Sequence, residues 1–345
     1  MSTAIFESIR LFEKFDSNGD GVVTHEEFEE TYRELFSDAE SKLPELIPFL
    51  DPCGSGNIDY VEWSKLLTPQ DLPRLVEGCK DKSGPLSRAC PNPEELELML
   101  NMKTRLWSVA QTAFDNDVRL LIDAEQSYYQ PAIDNFVISL MKEFNSKSKS
   151  NAPIIFNTYQ CYLKDAASRV SIDMDRACRN DFHFAAKIVR GAYMNAERAR
   201  AKEVEYESPI CDTEEATHLN YDGIVEKLIR SKAAGGKNPF AESEFMIATH
   251  NRTSVEAAVS LLKETGLPAG GVHFAQLLGM RDDLTFNLGN NGFKAYKYVP
   301  YGKVSEVMPY LIRRAQENSD ITKGMGGELR MIEKEVKRRL GMNVA

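Results

Sequence analysis

Four side chains near the C-terminal end of the chain have the spacing to act together. Tyr310, Arg313, Arg314 and Glu317, in the stretch YKYVPYGKVSEVMPYLIRRAQEN that runs from Tyr296 to Asn318, lie three and four residues apart. A helix puts them on one face. Two forked cations, a phenol and a carboxylate on rigid backbone suit the clamping of a small carboxylate. The same spacing also describes a solvated helix with an intrahelical Arg–Glu pair. Upstream, Tyr296 to Val299 alternates like a strand, and Pro300, Tyr301 and Gly302 break it. Ser305 is a good N-cap for the helix, and Pro309 is tolerable in its first turn.

A second group with chemistry lies near the N-terminus, in the loop Asp16 to Glu27, D-S-N-G-D-G-V-V-T-H-E-E. Asp16, Asn18 and Asp20 take positions 1, 3 and 5 of a calcium loop, Gly21 the turn, Val22 the carbonyl position, Thr24 position 9 and Glu27 position 12. Every ligand position is matched, so calcium binding is expected here. A second loop, Asp51 to Glu62, keeps Asp51, Gly56, Asp59 and Glu62, but Cys53 stands where a hard oxygen belongs and Ser55 is a neutral ligand. Soft sulfur suits calcium badly. This unit is expected to act mainly as the structural partner of the first, with Ile58 placed for strand pairing between the loops, and weak calcium binding by it stays an open alternative.

The elements that must position these groups follow from length and pattern. The chain has 345 residues, 42% of them apolar, enough for one large domain and a small one. A net charge of −10 argues against nucleic acid as a general partner. No run of about 18 apolar residues is present to span a membrane. The N-terminus lacks the Arg- and Ser-rich, acid-poor look of a transit peptide. The six cysteines include no CxxC pair, which leaves no zinc or dithiol motif and fits reduced thiols. Residues 1–66 read as a helix–loop–helix pair, 67–93 as a Pro-, Gly- and charge-rich linker, and 94–345 as an α/β unit. A helix is expected from Pro93, capped by Asn92. Strands are expected at Val118–Ala124, Ile154–Gln160, Ala185–Gly191, Glu244–His250, Gly271–Gln276 and Lys294–Val299, joined by helices. Apolar strands joined by helices mean a covered parallel sheet. Both the (β/α)8 barrel and the doubly wound sheet satisfy that pattern, though no GxGxxG follows a strand.

The motifs LLIDAEQ, FNTYQCYLKDA, KIVRGAY, ATHN, FAQLLGM and YxxYG followed by PYLxRRxxEN occur in that order from Leu120 to Asn318. On them the chain resembles the eukaryotic, mitochondrial branch of the proline dehydrogenase family, with an EF-hand-like insertion. The resemblance implies a proline dehydrogenase-type (β/α)8 barrel preceded by an all-α EF-hand pair. Only six strands are read where a barrel needs eight, and the family's earlier lysine-bearing strand has no counterpart, so an incomplete barrel and a poor enzyme are expected of this chain alone. In a barrel, functional groups gather at the C-terminal ends of strands.

By the same resemblance, Asp123, Leu278, Tyr298, Tyr310, Arg313 and Arg314 form the substrate pocket, the arginines binding the proline carboxylate. Gln160, Lys187, Val189, Arg190, Gly191, Ala192, Tyr193, Thr249, His250, Asn251, Gln276 and Glu317 resemble FAD contacts. Lys187 stands where bacterial members carry Arg, and Gly191 is expected to let backbone approach a phosphate. Read without the family, Lys187 and Arg190 are ordinary barrel-end charges, Glu125 is a helix N-cap, and His250 is a satisfied structural histidine. The implied reaction is hydride removal from C5 of L-proline to FAD, giving Δ1-pyrroline-5-carboxylate, with electrons passed to a quinone. A tyrosine at 298 resembles the proline enzymes, whereas hydroxyproline-specific relatives carry a serine there. The implied address is the mitochondrial inner membrane, matrix side. The basic helix from Gly327 to Leu340 is a candidate for peripheral membrane contact or a packed helix with a solvated face. Two other readings stand beside this one, a hydroxyproline dehydrogenase and a calcium-responsive binding protein on a catalytically incomplete barrel.

Overall fold

The computed structural model describes residues 11–66, 72–234, 237–268, 270–317 and 333–341. The N-terminal lobe forms around aromatic side chains. Phe15, Phe28 and Trp63 are buried together, with Phe15 centred 5.3 Å from Phe28 and 4.8 Å from Trp63. The helix His25–Leu35 starts at Thr24, whose hydroxyl accepts from the Glu27 amide while Glu27 reaches back to the Thr24 amide. That reciprocal cap satisfies two orphan donors. Strand β1 (Val22–Thr24) pairs antiparallel with β2 (Asn57–Asp59) and sets Val23 opposite Ile58, the expected link between the loops. Residues 67–93, expected as a linker, contain the helices Leu72–Gly78 and Pro85–Ala89. Leu75, Val76, Cys79 and Leu86 pack on the lobe core, and Ser37 and Lys80 bond across at 2.8 and 2.9 Å. Apolar residues every few positions were hidden by the Pro, Gly and charge around them.

The larger unit begins with the helix Pro93–Asp115, capped by Asn92 as expected. Strands β3 (Leu120–Leu121), β4 (Ile155–Gln160), β5 (Ala185–Val189), β6 (Glu244–Ala248), β7 (Val272–Leu277) and β8 (Lys294–Tyr298) follow. All neighbours are parallel, and their order in the sheet is their order in the chain. A doubly wound sheet reverses its order at a switch point; this one never does, so it is a curled half-barrel. Among the described strands β3 and β8 are its two edges. β3 is shorter than expected because Val118 is exposed and only one neighbour, β4, pairs with it. The helix after β8 is Val304–Glu317, so Ser305 lies inside it and is not its N-cap. Of the basic helix expected from Gly327 to Leu340, residues 333–339 are helical and 327–332 lie outside the described residues.

Two polar ties hold the sheet's lower end. The Asn145 side chain, fully buried, accepts from the Ile154 and Ile155 amides at 2.8 Å and donates to the carbonyls of Ile155 at 2.7 Å and His183 at 3.2 Å. It thus ties the starts of β4 and β5 together. At the start of β6, Glu244 accepts from Arg119 at 3.0 Å and lies 3.1 Å from the His273 ring. Burial pushes the Glu244 carboxyl up, but hydrogen bonds from His273 and Arg119 outweigh it and hold it at about 2.

Truncating Asn145 leaves two amides and two carbonyls without partners in the core. Asn145→Ala is expected to destabilise the protein by about 2–4 kcal/mol. Urea denaturation measures this, and a midpoint unchanged from wild type contradicts the role given to Asn145.

Candidate active site at the C-terminal ends of the strands

Lys187 sits on β5 between the buried Ala186 and Ile188, so alternation turns it to the opposite face of the sheet from them. Its ammonium contacts the carboxylate of Asp123, just beyond β3. Only 13% of the Lys187 side chain is exposed, against 58% for Asp123, so the lysine is the held partner. Across the sheet, Tyr298 at the end of β8 lies 5.8 Å from the ring of Tyr310, and the Arg314 guanidinium is 5.3 Å from the Tyr310 centroid. Burial first, and then the Asp123 charge, raise the Tyr298 phenol. Burial first, and then Tyr298, push Tyr310 up to about 12. Asp123, Lys187, Tyr298, Tyr310 and Arg314 thus form one cluster: an anion, two cations and two neutral phenols. The side chains of Arg313 and Glu317 lie outside the described residues.

The strand ends between these groups carry amides and hydroxyls. Gln160 donates to the Glu125 carbonyl at 2.7 Å. Glu125 itself is no N-cap, because the following helix begins at Gln130 with Tyr129 as its cap. Gln276 donates to the Thr249 carbonyl at 3.2 Å and accepts from the Thr285 hydroxyl at 2.8 Å. Asn251 caps the helix Arg252–Thr265, accepting from the Ser254 amide at 3.2 Å. Leu278 is 58% exposed and is tied by its amide to the Tyr298 carbonyl at 3.1 Å. Val189 accepts from the Cys161 amide at 2.8 Å.

Arg190 has a different place from Lys187. Its guanidinium donates to Thr249 at 2.6 Å, Ser254 at 2.8 Å and His218 at 3.1 Å, and lies 4.3 Å from the Tyr221 ring centroid. Three of its N–H groups and one face are engaged inside the protein, joining the end of β5 to the end of β6 and two helices. Next to it, Gly191 has φ +131°, and a Cβ there would lie 1.5 Å from the Tyr162 ring. The described structure therefore requires glycine for the packing of Tyr162, independent of any phosphate. Ala192 and Tyr193 lead into the helix Met194–Val204, and Tyr193 accepts from the Glu197 amide at 2.9 Å. Glu197, fully buried, accepts from the Ser127 hydroxyl at 2.7 Å and so fixes the loop after Asp123.

His250 is buried enough to be neutral. Its Nε2 accepts from the Leu277 amide at 3.0 Å, and its carbonyl accepts from Arg281 at 2.7 Å. Burial, then Lys297 and Arg281, lower its pKa from 6.5 to about 4. His218, Ser254, Thr285, Arg281 and Lys297 were not expected at this edge. They sit on crossover helices, loops or an edge strand, where single-sequence periodicity says nothing of what faces them.

In the first loop of the lobe, Asp16 accepts from the amides of Asp20 at 3.1 Å and Gly21 at 2.8 Å, Asn18 from Asp20 at 2.8 Å, and Asp20 from Val22 at 2.9 Å. Glu27 is turned to its cap, accepting from the Ser17 hydroxyl at 2.6 Å and the Thr24 amide at 3.0 Å. Among the described residues, no three His, Cys, Asp or Glu side chains are gathered as a metal site.

The fold and the cluster together define a protein of the parallel β/α class with a charged and phenolic cluster at the C-terminal edge of the sheet. The profile of proline dehydrogenases matches residues 51–326, and the chain belongs to that family. An EF-hand profile matches residues 9–30. The chain is 42% identical over 299 residues to the human protein named proline dehydrogenase 1, mitochondrial, covering 83% of this chain and 47% of that one. It is 38% identical over 276 residues to the hydroxyproline dehydrogenase of Xenopus laevis, covering 79% of this chain and 56% of that one. The chain thus spans about half the length of the curated relatives it matches. A crystal structure of proline utilization A from Bdellovibrio bacteriovorus, inactivated by N-propargylglycine, shares the fold at a TM-score of 0.56 and 22% identity, over 63% of this chain and 21% of that one.

The His250 environment has a pH signature. Its folded pKa lies below the unfolded one, so its contribution is fully present above about pH 6.5 and is lost as pH falls towards about 4. The expected loss across that window is about 1–3 kcal/mol. His250→Gln keeps an acceptor for the Leu277 amide and removes the titration, so its urea midpoint should vary less between pH 6.5 and 4 than the wild-type midpoint. Equal slopes for the two proteins contradict this account.

Proposed function

We propose that this chain carries the flavin- and substrate-binding part of an enzyme that oxidises L-proline to Δ1-pyrroline-5-carboxylate. The observation that supports it most directly is the meeting of Asp123, Lys187, Tyr298, Tyr310 and Arg314 at one end of the half-barrel in a member of this family. FAD fits the residues present, since amide, hydroxyl and cationic groups at Gln160, Lys187, Thr249 and Gln276 stand on adjacent strand ends. When bound, FAD supplies the hydride acceptor. Lys187 would hold a fixed positive charge on that cofactor, and a held cation favours negative charge beside it. Arg314, stacked on Tyr310, would receive the substrate carboxylate, and Arg313 is its proposed partner. Asp123 would face the ring nitrogen, which must be neutral before the C5 hydrogen can leave as hydride. Tyr298 and Tyr310 would cover the pyrrolidine ring, their raised pKa values keeping them uncharged against it. Val189, Gly191, Ala192, Tyr193, His250, Asn251 and Glu317 are proposed to line the cofactor, with Leu278 against the substrate. Arg190 is proposed here to hold Thr249 for the cofactor. A quinone acceptor and a mitochondrial address are proposed on the names and the family alone. No helix among the described residues is long and apolar enough to cross a membrane.

Tyr298 is the residue that favours proline over its 4-hydroxylated relative. Tyr298→Ser opens space for the hydroxyl and is expected to shift the ratio of kcat/KM values towards hydroxyproline by about 10–200-fold. Steady-state kinetics on both imino acids with the complete polypeptide decides it. An unchanged ratio makes Tyr298 a packing residue and removes the main support for proline as substrate.

The lobe's first loop is proposed to bind calcium through Asp16, Asn18, Asp20, the Val22 carbonyl and Glu27. Hard oxygen donors wound about Asp16 fit that ion. Glu27→Gln is expected to weaken calcium binding about tenfold or more. Calorimetric titration checks this, and wild-type affinity in Glu27→Gln contradicts it.

A further inference from the structure

The second loop of the lobe has its metal-position groups engaged by the protein itself. Asp51 accepts from the amides of Ser55 at 2.9 Å and Gly56 at 2.7 Å, the Ser55 hydroxyl at 3.0 Å and the Cys53 thiol at 3.2 Å. The His25 ring lies 3.0 Å away. Asp59, at position 9, uses one oxygen to cap the Val61 and Glu62 amides at 2.9 and 3.1 Å. Its other oxygen receives the Arg179 guanidinium at 2.6 Å. Glu62, at position 12, lies 3.6 Å from the same guanidinium and contacts Lys65 with its second oxygen. One turn earlier, Arg176 donates to the Ser64 hydroxyl at 3.1 Å.

Arg179 is the last residue of the helix Ala166–Arg179, which crosses from β4 to β5. A cation there is favoured by the helix dipole and held by Asp175 at 2.6 Å. It is therefore in place on the barrel, and the loop's carboxylates come to it. A calcium ion would have to displace Arg179 and Lys65 from carboxylates only 32% and 14% exposed, and would gain a neutral hydroxyl and a soft sulfur at positions 5 and 3. The donor set does not fit the ion.

We propose that the second loop is a latch: the carboxylates at its ninth and twelfth positions dock the lobe onto the barrel by binding Arg179, and the loop takes no calcium. The partner of this surface is the C-terminal end of the helix Ala166–Arg179 in the same chain. Val22, the carbonyl residue of the first loop, pairs directly with Asp59, so the latch adjoins the loop that is proposed to bind the ion.

The test uses the full chain. Asp59→Asn and Arg179→Gln are each expected to lower the thermal midpoint by about 2–4 °C, and the double variant by no more than the larger single effect. Arg179→Lys, which keeps the charge and loses the fork, should fall between wild type and Arg179→Gln. Glu62→Gln should leave the calorimetric calcium isotherm as in wild type. Additive midpoint losses, or a calcium site present in wild type and absent in Glu62→Gln, overturn the proposal. If Glu27→Gln shows that the first loop binds no calcium, the midpoint cycle still decides the latch.

Discussion

Parallel pairing is the constraint on which this structure depends. A strand that must lie parallel to the one before it needs a crossover long enough to return the chain to the same end. Here that crossover is helical between each successive pair of strands from β3 to β8, and the helices cover the face carrying Ile155, Tyr159, Ala186, Ile188, Phe245, Ile247 and Phe274. Because every neighbouring pair is parallel, the strands all end at the same edge. Asp123, Gln160, Thr249, His250, Gln276 and Tyr298, which are scattered over 176 positions of sequence from 123 to 298, have no other reason to be neighbours.

At that edge, charge is divided between held and available groups. Arg190 is consumed by Thr249, Ser254, His218 and Tyr221, and a guanidinium with three such acceptors and a ring face satisfied is a structural tie. Lys187, within β5 and three residues before Arg190, meets the carboxylate of Asp123 at a point more than half exposed on the acid's side. An incoming cationic or anionic ligand can therefore bargain with the Asp123–Lys187 pair in a way it cannot with Arg190. His250 completes the contrast: it is made neutral by burial and by two nearby cations, so it offers a lone pair to the Leu277 amide and adds no charge.

The central strands were legible in the sequence because apolar residues dominate AAKIV and EFMIA between helices, a pattern that parallel burial demands, while β8, KAYKY, shows alternation instead. Their order was not, since barrel and doubly wound sheets share that pattern and differ only in which neighbour each strand chooses. The site was legible where residues end strands, as with Asp123, Gln160 and Tyr298. It was illegible where partners come from elsewhere: nothing in HLNYDG marks His218 as the acceptor for Arg190. A second reason for glycine at 191 was illegible, because the ring that crowds it, Tyr162, follows a different strand. The linker reading failed for a related cause. Leu75, Val76, Cys79 and Leu86 are too few and too broken by Pro and Gly to show a period, yet they cover the lobe's aromatic core.

The two loops of the lobe follow the same sequence pattern and are led to different surroundings by one neighbour. The first has Val22 in β1, with Asp20 exposed and Asp16 half-buried; the second has the barrel helix against Asp59 and Glu62. That helix runs antiparallel to the strands it joins, so Arg179 lies at the starting end of β5, while Asp123, Gln160, Thr249 and Tyr298 lie at the finishing ends of their strands. The lobe is therefore fastened to the face of the half-barrel opposite the clustered site, the face where β/α barrels keep stability and not chemistry. An effect of the lobe on that site has to pass along β5 or through the helix Ala166–Arg179, whose Asp173 receives the Tyr159 hydroxyl of β4 at 2.7 Å.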